Sequence, residues 1–149
     1  MGRTRMETDY LKFFQSFIAN MVQMGGINLL KSNSTMLGRN LGEIYKKRGT
    51  TDVHAALTSM FRAMAGKTVE IADEKGGGFT VNTEFETDYC PIGGTVKPKR
   101  HEMFFEGICK PYAVGFISAF KPGAKIDLVC KSCVLKTGGN KCKIQAIIQ

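Results

Sequence analysis

The residues with the most distinctive chemistry in this 149-residue sequence are its five cysteines. They are Cys90, Cys109, Cys130, Cys133 and Cys142, and the first 89 residues contain none. Cys130 and Cys133 form a Cys-x-x-Cys pair, and a Gly-Gly turn separates this pair from Cys142. Clustered cysteines with such spacing are typical of a small metal site or a dithiol redox site.

A metal site is the better interpretation of the cluster. A structural zinc ion takes four ligands, and cysteine thiolates are among its usual ones. A redox pair of the thioredoxin type opens a helix in a βαβ unit, whereas Cys130 and Cys133 follow a predicted strand. An iron–sulfur cluster would use the same cysteines, and buried free thiols are the alternative without a metal.

The two histidines offer little catalytic chemistry. His101 follows Arg100 and is predicted to be a surface residue. It could replace one of the cysteines as a zinc ligand, but this is the weaker interpretation. His54 has no cysteine or carboxylate at ligand spacing and is also predicted to lie on the surface. No nucleophile with its base is recognisable, and neither glycine run is followed by the Lys-Ser/Thr of a phosphate-binding loop. We therefore predict no catalytic residues, and a binding protein rather than an enzyme.

The net charge of +8 is concentrated around the cysteines. Residues 89–149 carry ten basic and three acidic side chains, whereas residues 1–88 carry eleven and ten. A basic segment attracts nucleic acid, and a zinc-ribbon-like nucleic-acid-binding hairpin is the alternative function. We favour lysines around a metal–thiolate centre, because the segment lacks aromatic residues interleaved for base stacking.

The length is that expected of one domain, 1–149, with a helical half (1–66) and a half with the sheet, a helix and the cysteines (67–149). No apolar run approaches the ~18 residues of a membrane span, and the start lacks the h-region of a signal peptide. The expected location is the cytoplasm, where cysteines are usually thiols or metal ligands.

Apolar residues recur at helical spacing in three segments of the first half. They predict helices over 9–24, over 34–48 and from Val53 towards Gly66, the last capped by Thr51 or Asp52. Gly25 and Gly26 predict a break after the first helix, and Gly38 and Gly42 allow another helix to approach closely.

The second half alternates between strands and helices. Two hairpins are predicted, from Thr68–Ala72 with Gly78–Phe85 and from Lys125–Cys130 with Lys141–Ile148. Residues 101–120 are predicted to be helical in two pieces, with the main piece starting near Lys110 because Pro111 suits a first turn. That start would place Cys109 at a helix N-terminus, where a thiol pKa is lowered. The fold class is α+β, with N-terminal helices packed on an antiparallel sheet and a C-terminal hairpin bearing cysteines.

The C-terminal residues resemble the 4-vinyl reductase, or hydrocarbon-binding, domain family. The resemblance is carried by Cys109, Gly115-Phe116, Gly123, a strand ending in Cys133, a glycine-containing turn and Cys142-Lys143-Ile144. The wider fold group includes subunits of the transport-protein-particle trafficking complex and haem nitric-oxide sensors. The sequence departs from the family pattern in a longer Cys133–Cys142 loop, in Gly139-Asn140, in Ile144 and in the additional Cys130.

This resemblance implies a compact domain, a homodimer, an apolar cavity for a small hydrophobic molecule and a zinc ion held by cysteines. The expected function is therefore a small-molecule sensor or carrier, or alternatively a component of a reductase. The predicted zinc ligands are Cys90, Cys109, Cys133 and Cys142, with Cys130 as the alternative ligand. The predicted pocket residues are Phe14, Phe17, Met21, Leu41, Phe116 and Phe120.

Overall fold

The structure, a computed structural model, describes residues 5–64 and 66–149. Its elements are α1 (Arg5–Lys47), α2 (Val53–Ala63), β1 (Gly66–Asp73), β2 (Phe79–Phe85), α3 (Pro98–Phe104), a π-helical turn (Phe105–Cys109), α4 (Lys110–Phe120), β3 (Ile126–Ser132), α5 (Val134–Thr137) and β4 (Lys141–Ile148). The strands form one antiparallel sheet in the order β1-β2-β4-β3. The predicted α+β class is confirmed.

Helix α1 consists of two helical stretches that meet at a break. Gly26 has φ 72° and ψ 177°, outside the helical region, and such a positive φ favours glycine. The predicted break at Gly25-Gly26 is confirmed. The second stretch begins directly after it, so residues 27–33 are helical although the periodicity pattern did not extend over them.

Helix α4 lies close against the second stretch of α1. A Cβ added at Gly38 or Gly42 would collide with the α4 backbone, and one added at Gly115 would collide with the carbonyl oxygen of Thr35. These glycines therefore allow the two helix backbones to approach, as the spacing of Gly38 and Gly42 predicts.

Two hydrophobic cores hold the elements together. The first core lies between α2, α4 and the sheet and includes Ala56, Leu57, Phe116 and Ile117. The second core includes Ile18, Phe85, Cys90, Phe104, Val134 and Leu135, and Cys133 and Cys142 pack against it. The Asp52 carboxylate caps α2 by accepting a hydrogen bond from the Ala55 amide at 3.0 Å.

The main helix α4 starts at Lys110, as predicted, but α3 and the π-turn lead into it without a break, so residues 98–120 form a continuous helical run. In the π-turn the Lys110 amide donates to the Phe105 carbonyl, one residue further back than in an α-helix. This wider turn comes directly before Pro111, whose ring would clash with a carbonyl in a regular helix interior. The whole helical run begins with Pro98 in the first turn of α3.

The last hairpin carries three of the cysteines and is more elaborate than predicted. Strand β3 extends to Ser132, with an irregular register between Cys130 and Ser132. The four-residue helix α5 then precedes Gly138 and Gly139, which have φ values of 79° and 75°. This insertion carries the chain from Cys133 around to Cys142 on β4.

Candidate metal centre

Cys133 lies at the centre of a group that contains all five cysteines. The thiols of Cys130 and Cys142 act on the neighbouring Cys133 thiol and lower its pKa, and the Cys130 thiol donates to the Ser132 carbonyl oxygen at 3.5 Å. Cys90 and Cys109 are close enough to interact electrostatically with the same sulfur. All five are free cysteines. The five thiols therefore lie in one region, but among the described residues Cys90, Cys109 and Cys142 do not join Cys133 in a group of ligand atoms within 4.8 Å of one another, so the predicted ligand set stays a prediction.

Cys90 reaches this group from the loop after β2. The backbones of Cys90 and Gly94 exchange two hydrogen bonds of 2.8 Å, and the Gly93 amide donates to the Cys90 sulfur at 3.4 Å. This closed turn is the rigid geometry that Cys90-Pro91 predicts, and it fixes the direction of the sulfur.

The backbone around Cys133 also favours the charged forms of two of the thiols. Cys133 has extended φ and ψ angles of −152° and 138° and directly precedes α5. The Lys136 amide donates to the Cys133 carbonyl oxygen at 3.1 Å, while the nearby amides of Leu135 and Lys136 help to lower the pKa of Cys133 and the Val134 amide acts in the same direction on Cys142. Hydrogen bonds to the charged form favour it, so these amides stabilise thiolates.

Hydrogen bonding divides the thiols into one acid and two weak acids. The pKa of Cys133 lies far below its ordinary value because the Cys130 and Cys142 thiols donate hydrogen bonds to its thiolate. The pKa values of Cys130 and Cys142 are raised, first because each donates to Cys133 and then because of burial. Interactions among these thiols thus favour the charged form of Cys133 relative to its two neighbours.

The pKa of the Cys109 thiol is raised, whereas the sequence predicted that it is lowered. Desolvation raises the pKa of the Cys109 thiol well above its ordinary value. The lowering predicted from a helix N-terminus is wrong, because Cys109 lies inside the continuous helical run and has helical backbone angles. Burial likewise raises the pKa of Cys90.

His101 lies beside the cysteines, and the prediction of a surface histidine is wrong. A ring nitrogen of His101 and the sulfurs of Cys130 and Cys133 all lie within 4.8 Å of one another. Its ring stacks on Phe105, with centroids 5.8 Å apart and planes at 10°. The Nε2 atom is buried and has no hydrogen-bond partner among the described residues.

Sequence reasoning ranked His101 below the cysteines because the piece with His101 and the main helix were treated as separate, whereas they form one run. His101 precedes Cys109 by eight residues, and residues eight apart share one face of a helix. With the run recognised as continuous, this spacing would have grouped the histidine with the cysteines. His54, by contrast, lies 3.2 Å from an Asp73 carboxylate oxygen and away from the sulfurs.

The donors in this cluster fit a zinc ion. Sulfur and imidazole nitrogen are the ligands of zinc and of iron–sulfur centres, whereas Ca²⁺ and Mg²⁺ prefer oxygen. The His101 ring and the Cys130 and Cys133 side chains thus offer one nitrogen and two sulfur donors within 4.8 Å of one another. The positive charge of Lys136 lowers the pKa of the Cys130 thiol. This effect is smaller than those of the neighbouring Cys133 and of burial, which raise it.

The predicted pocket residues lie in different places. Leu41, Phe116 and Phe120 belong to or pack against the first core, and Phe14 and Met21 pack against the second core. Phe17 is 53% exposed. A concavity of about 310 Å³ lies over polar residues of the sheet, including Glu70, Asn82 and Lys143. It includes none of the six residues, so their role in ligand binding stays a prediction.

Comparison with known proteins shows the class of fold and no more. No protein-family model and no curated protein matches this chain. A solved structure, a trafficking protein particle complex subunit 3 from Naegleria fowleri covalently bound to palmitic acid, resembles it with a TM-score of 0.65 and 11% identity. The match covers 96% of this chain and 95% of that one. This chain therefore has the α+β fold of the wider group that the sequence indicated.

The comparison leaves the membership in the 4-vinyl reductase family open as a prediction. The described helices include none long and apolar enough to cross a membrane.

Proposed function

We propose that this protein is a binding module that takes up a small hydrophobic molecule and holds a structural zinc ion in its cysteine cluster. The convergence of all five thiols on Cys133 carries the proposal. Thiols from the β2–α3 loop, the π-turn and the β3–β4 hairpin meet there, so one ion would join three separate segments.

The predicted ligand set of Cys90, Cys109, Cys133 and Cys142 is one way to complete four ligands. Cys109 lies in the π-turn and Cys142 in β4, whereas Cys90 and Cys133 lie in connecting segments, and each of the four has an electrostatic interaction with another. A closed four-ligand site contributes to folding stability and leaves no open position for catalysis. The proposed zinc is therefore structural.

The hydrophobic ligand is supported by the fold and by the composition of α1. The solved structure with this fold carries palmitic acid, and the C-terminal motif resembles the hydrocarbon-binding family. Met and Phe residues adapt well to apolar ligands, and several on α1 are half-buried or exposed. The large exposed apolar residues of α1 are Phe13, Phe17, Met24, Leu29, Met36, Leu37 and Ile44. The same residues support the proposed homodimer, because an apolar face of this kind marks an interaction surface.

Metal analysis tests the zinc proposal. Protein purified without added metal is expected to contain about one zinc per chain, as a closed four-ligand site would. Thiol titration under native conditions should then count fewer than the five thiols. Absence of zinc and iron, with five reactive thiols, would contradict the proposal.

Displacement of a fluorescent fatty acid tests the apolar ligand. Phe14 is half-buried against the second core, whereas its neighbour Phe13 is 68% exposed. Phe14→Ser is expected to weaken binding, and Phe13→Ser serves as the matched control. Equal binding by both variants would remove Phe14 from the pocket, and no binding by the unmodified protein would contradict the ligand role.

A further inference from the structure

We propose that zinc is held by His101, Cys130, Cys133 and Cys142, so that Cys90 and Cys109 remain thiols beside the metal. This inference rests on the zinc of the proposed function and changes its ligand set. Two of the four residues, His101 and Cys130, are those that the sequence ranked below the others.

The first argument is the separation of the ligand atoms. A ring nitrogen of His101 and the sulfurs of Cys130 and Cys133 lie within 4.8 Å of one another. In a zinc tetrahedron with Zn–S of ~2.3 Å and Zn–N of ~2.0 Å, ligand atoms lie roughly 3.4–3.8 Å apart. Three donors are therefore already near the spacing of a metal site, and small side-chain rotations complete it.

The second argument is the unpartnered nitrogen of His101. Buried polar atoms in proteins nearly always have a partner, and an exception calls for an explanation such as an ion. The Nε2 atom is buried and has no hydrogen bond within the described part of the chain. Stacking on Phe105 holds the ring in place beside the two sulfurs. A metal ion between them would provide the partner that this nitrogen lacks.

The third argument selects Cys142 as the fourth ligand. Ser132, which precedes Cys133, pairs with Lys143, which follows Cys142, on the neighbouring antiparallel strand, and both cysteines pack against the second core. Cys109 packs against the first core, and the Cys90 sulfur already accepts the Gly93 amide. The strand pairing therefore selects Cys142 and leaves the other two cysteines in the surrounding layer.

This set has a mechanical consequence for the fold. His101 lies on α3, Cys130 on β3, and Cys142 on β4. Zinc would tie the helical run to both strands of the last hairpin, across the irregular segment between Cys130 and α5. The metal would then hold the irregular segment from Cys130 to Cys133 at both of its ends.

Zinc affinities of matched variants test the ligand set. His101→Ala and Cys130→Ser are expected to weaken zinc binding by more than the roughly 10–100-fold that loss of a supporting residue causes. Cys90→Ser and Cys109→Ser are the controls, and each should weaken zinc binding by no more than roughly 10–100-fold. Affinity is measured by competition with a chromophoric chelator, with circular dichroism as the check of folding.

X-ray absorption at the zinc edge gives a second measurement that needs no variant. The unmodified protein should show three sulfurs at ~2.3 Å and one nitrogen at ~2.0–2.1 Å. His101→Cys should retain zinc and change this shell to four sulfurs. This spectrum decides the question if His101→Ala does not fold.

The outcomes separate the inference from the proposed function. A shell of four sulfurs in the unmodified protein, with zinc lost in Cys90→Ser or Cys109→Ser, would overturn the inference and leave the structural zinc in place. Absence of zinc from the unmodified protein would overturn both.

Discussion

The two cores of this domain differ in the kind of residue that completes them. The first core is built from apolar side chains of α2, α4 and the sheet. Cys109 and Cys130 pack against its edge. The second core is smaller, and it has Cys90 inside it and Cys133 and Cys142 packed against it. The first core is stabilised by apolar burial, whereas the second also contains a buried thiol.

The comparison teaches where a metal would act. Irregular backbone occurs beside both cores: the π-turn supplies Phe105 to the first core, and the β1–β2 register shifts between Gly66 and Thr68. The segment from Cys130 through α5 is the irregular part that reaches the second core, whereas α2, capped by Asp52, belongs to the first core. Chelation and mutation should therefore affect the two cores differently.

The largest expected effect comes from truncation in the first core. Phe116 is fully buried between α1, α4 and the sheet. Phe116→Ala should lower the free energy of unfolding by about 3–5 kcal/mol, the usual cost of such a cavity. Urea denaturation measures it, with the exposed Phe13→Ala as the control. A loss of unfolding free energy that changed strongly on addition of chelator would contradict the distinction between the two cores.

Removal of zinc should destabilise the second core by a similar or smaller amount. A ligand at about 1,000 times its Kd stabilises the folded state by about 4 kcal/mol. Hydrogen exchange with and without chelator should show faster exchange in α5 and the ends of β3 and β4, and little change in α2. Uniform acceleration throughout the domain would show that the two cores are a single cooperative unit.

Loss of the α2 cap should have an intermediate effect that is independent of metal. Asp52→Ala removes the acceptor of the Ala55 amide, which should cost about 1 kcal/mol. Asp52→Asn, which keeps an acceptor, is the control. A cost that appears only in chelator would contradict the assignment of α2 to the first core.

The smallest expected effect concerns the ion pair between α4 and β3. Lys110 Nζ lies 2.9 Å from an Asp127 oxygen, and its hydrogen bond lowers the pKa of Asp127. Because the folded pKa is depressed, this stabilisation is present above the ordinary carboxyl pKa and is lost as the pH falls through the folded value. Both groups are partly exposed, so the pair should contribute about 0.2–1 kcal/mol.

Denaturation of Asp127→Asn and the unmodified protein over acidic and neutral pH measures this pair. The difference between them should be present near neutral pH and shrink in acid. A difference that grows as the pH falls would contradict the assigned sign.

Regular elements were predictable from the sequence because their patterns are local. Alternating residues such as Val69 and Ile71 predicted β1, and Ile144 and Ala146 predicted the inward face of β4. The Gly25-Gly26 break was visible because glycine interrupts a helical pattern. In each case the deciding information lies within a few residues of sequence.

The irregular elements were not predictable, because tertiary contacts decide them. A π-turn has no periodicity of its own, so the continuity of α3 with α4 was not predicted, although α4 does start at Lys110 as Pro111 indicated. Helix α5 has only four residues, too few for a pattern, and its Val134 and Leu135 are fixed by burial in the second core. The sequence predicted that the cysteines lie close together. It did not place His101 beside them, because the continuity of the helical run through the π-turn was not recognised.

The central claim is that the thiols gather around Cys133 to hold a metal ion. Native mass spectrometry of the intact chain, purified from its own source, tests this claim most directly because it reports metal and bound molecules together. The account predicts a mass increased by one zinc per chain, and loss of that increment after treatment with a strong chelator. A chain with the mass of the bare polypeptide, in which all five thiols react without denaturant, would contradict it.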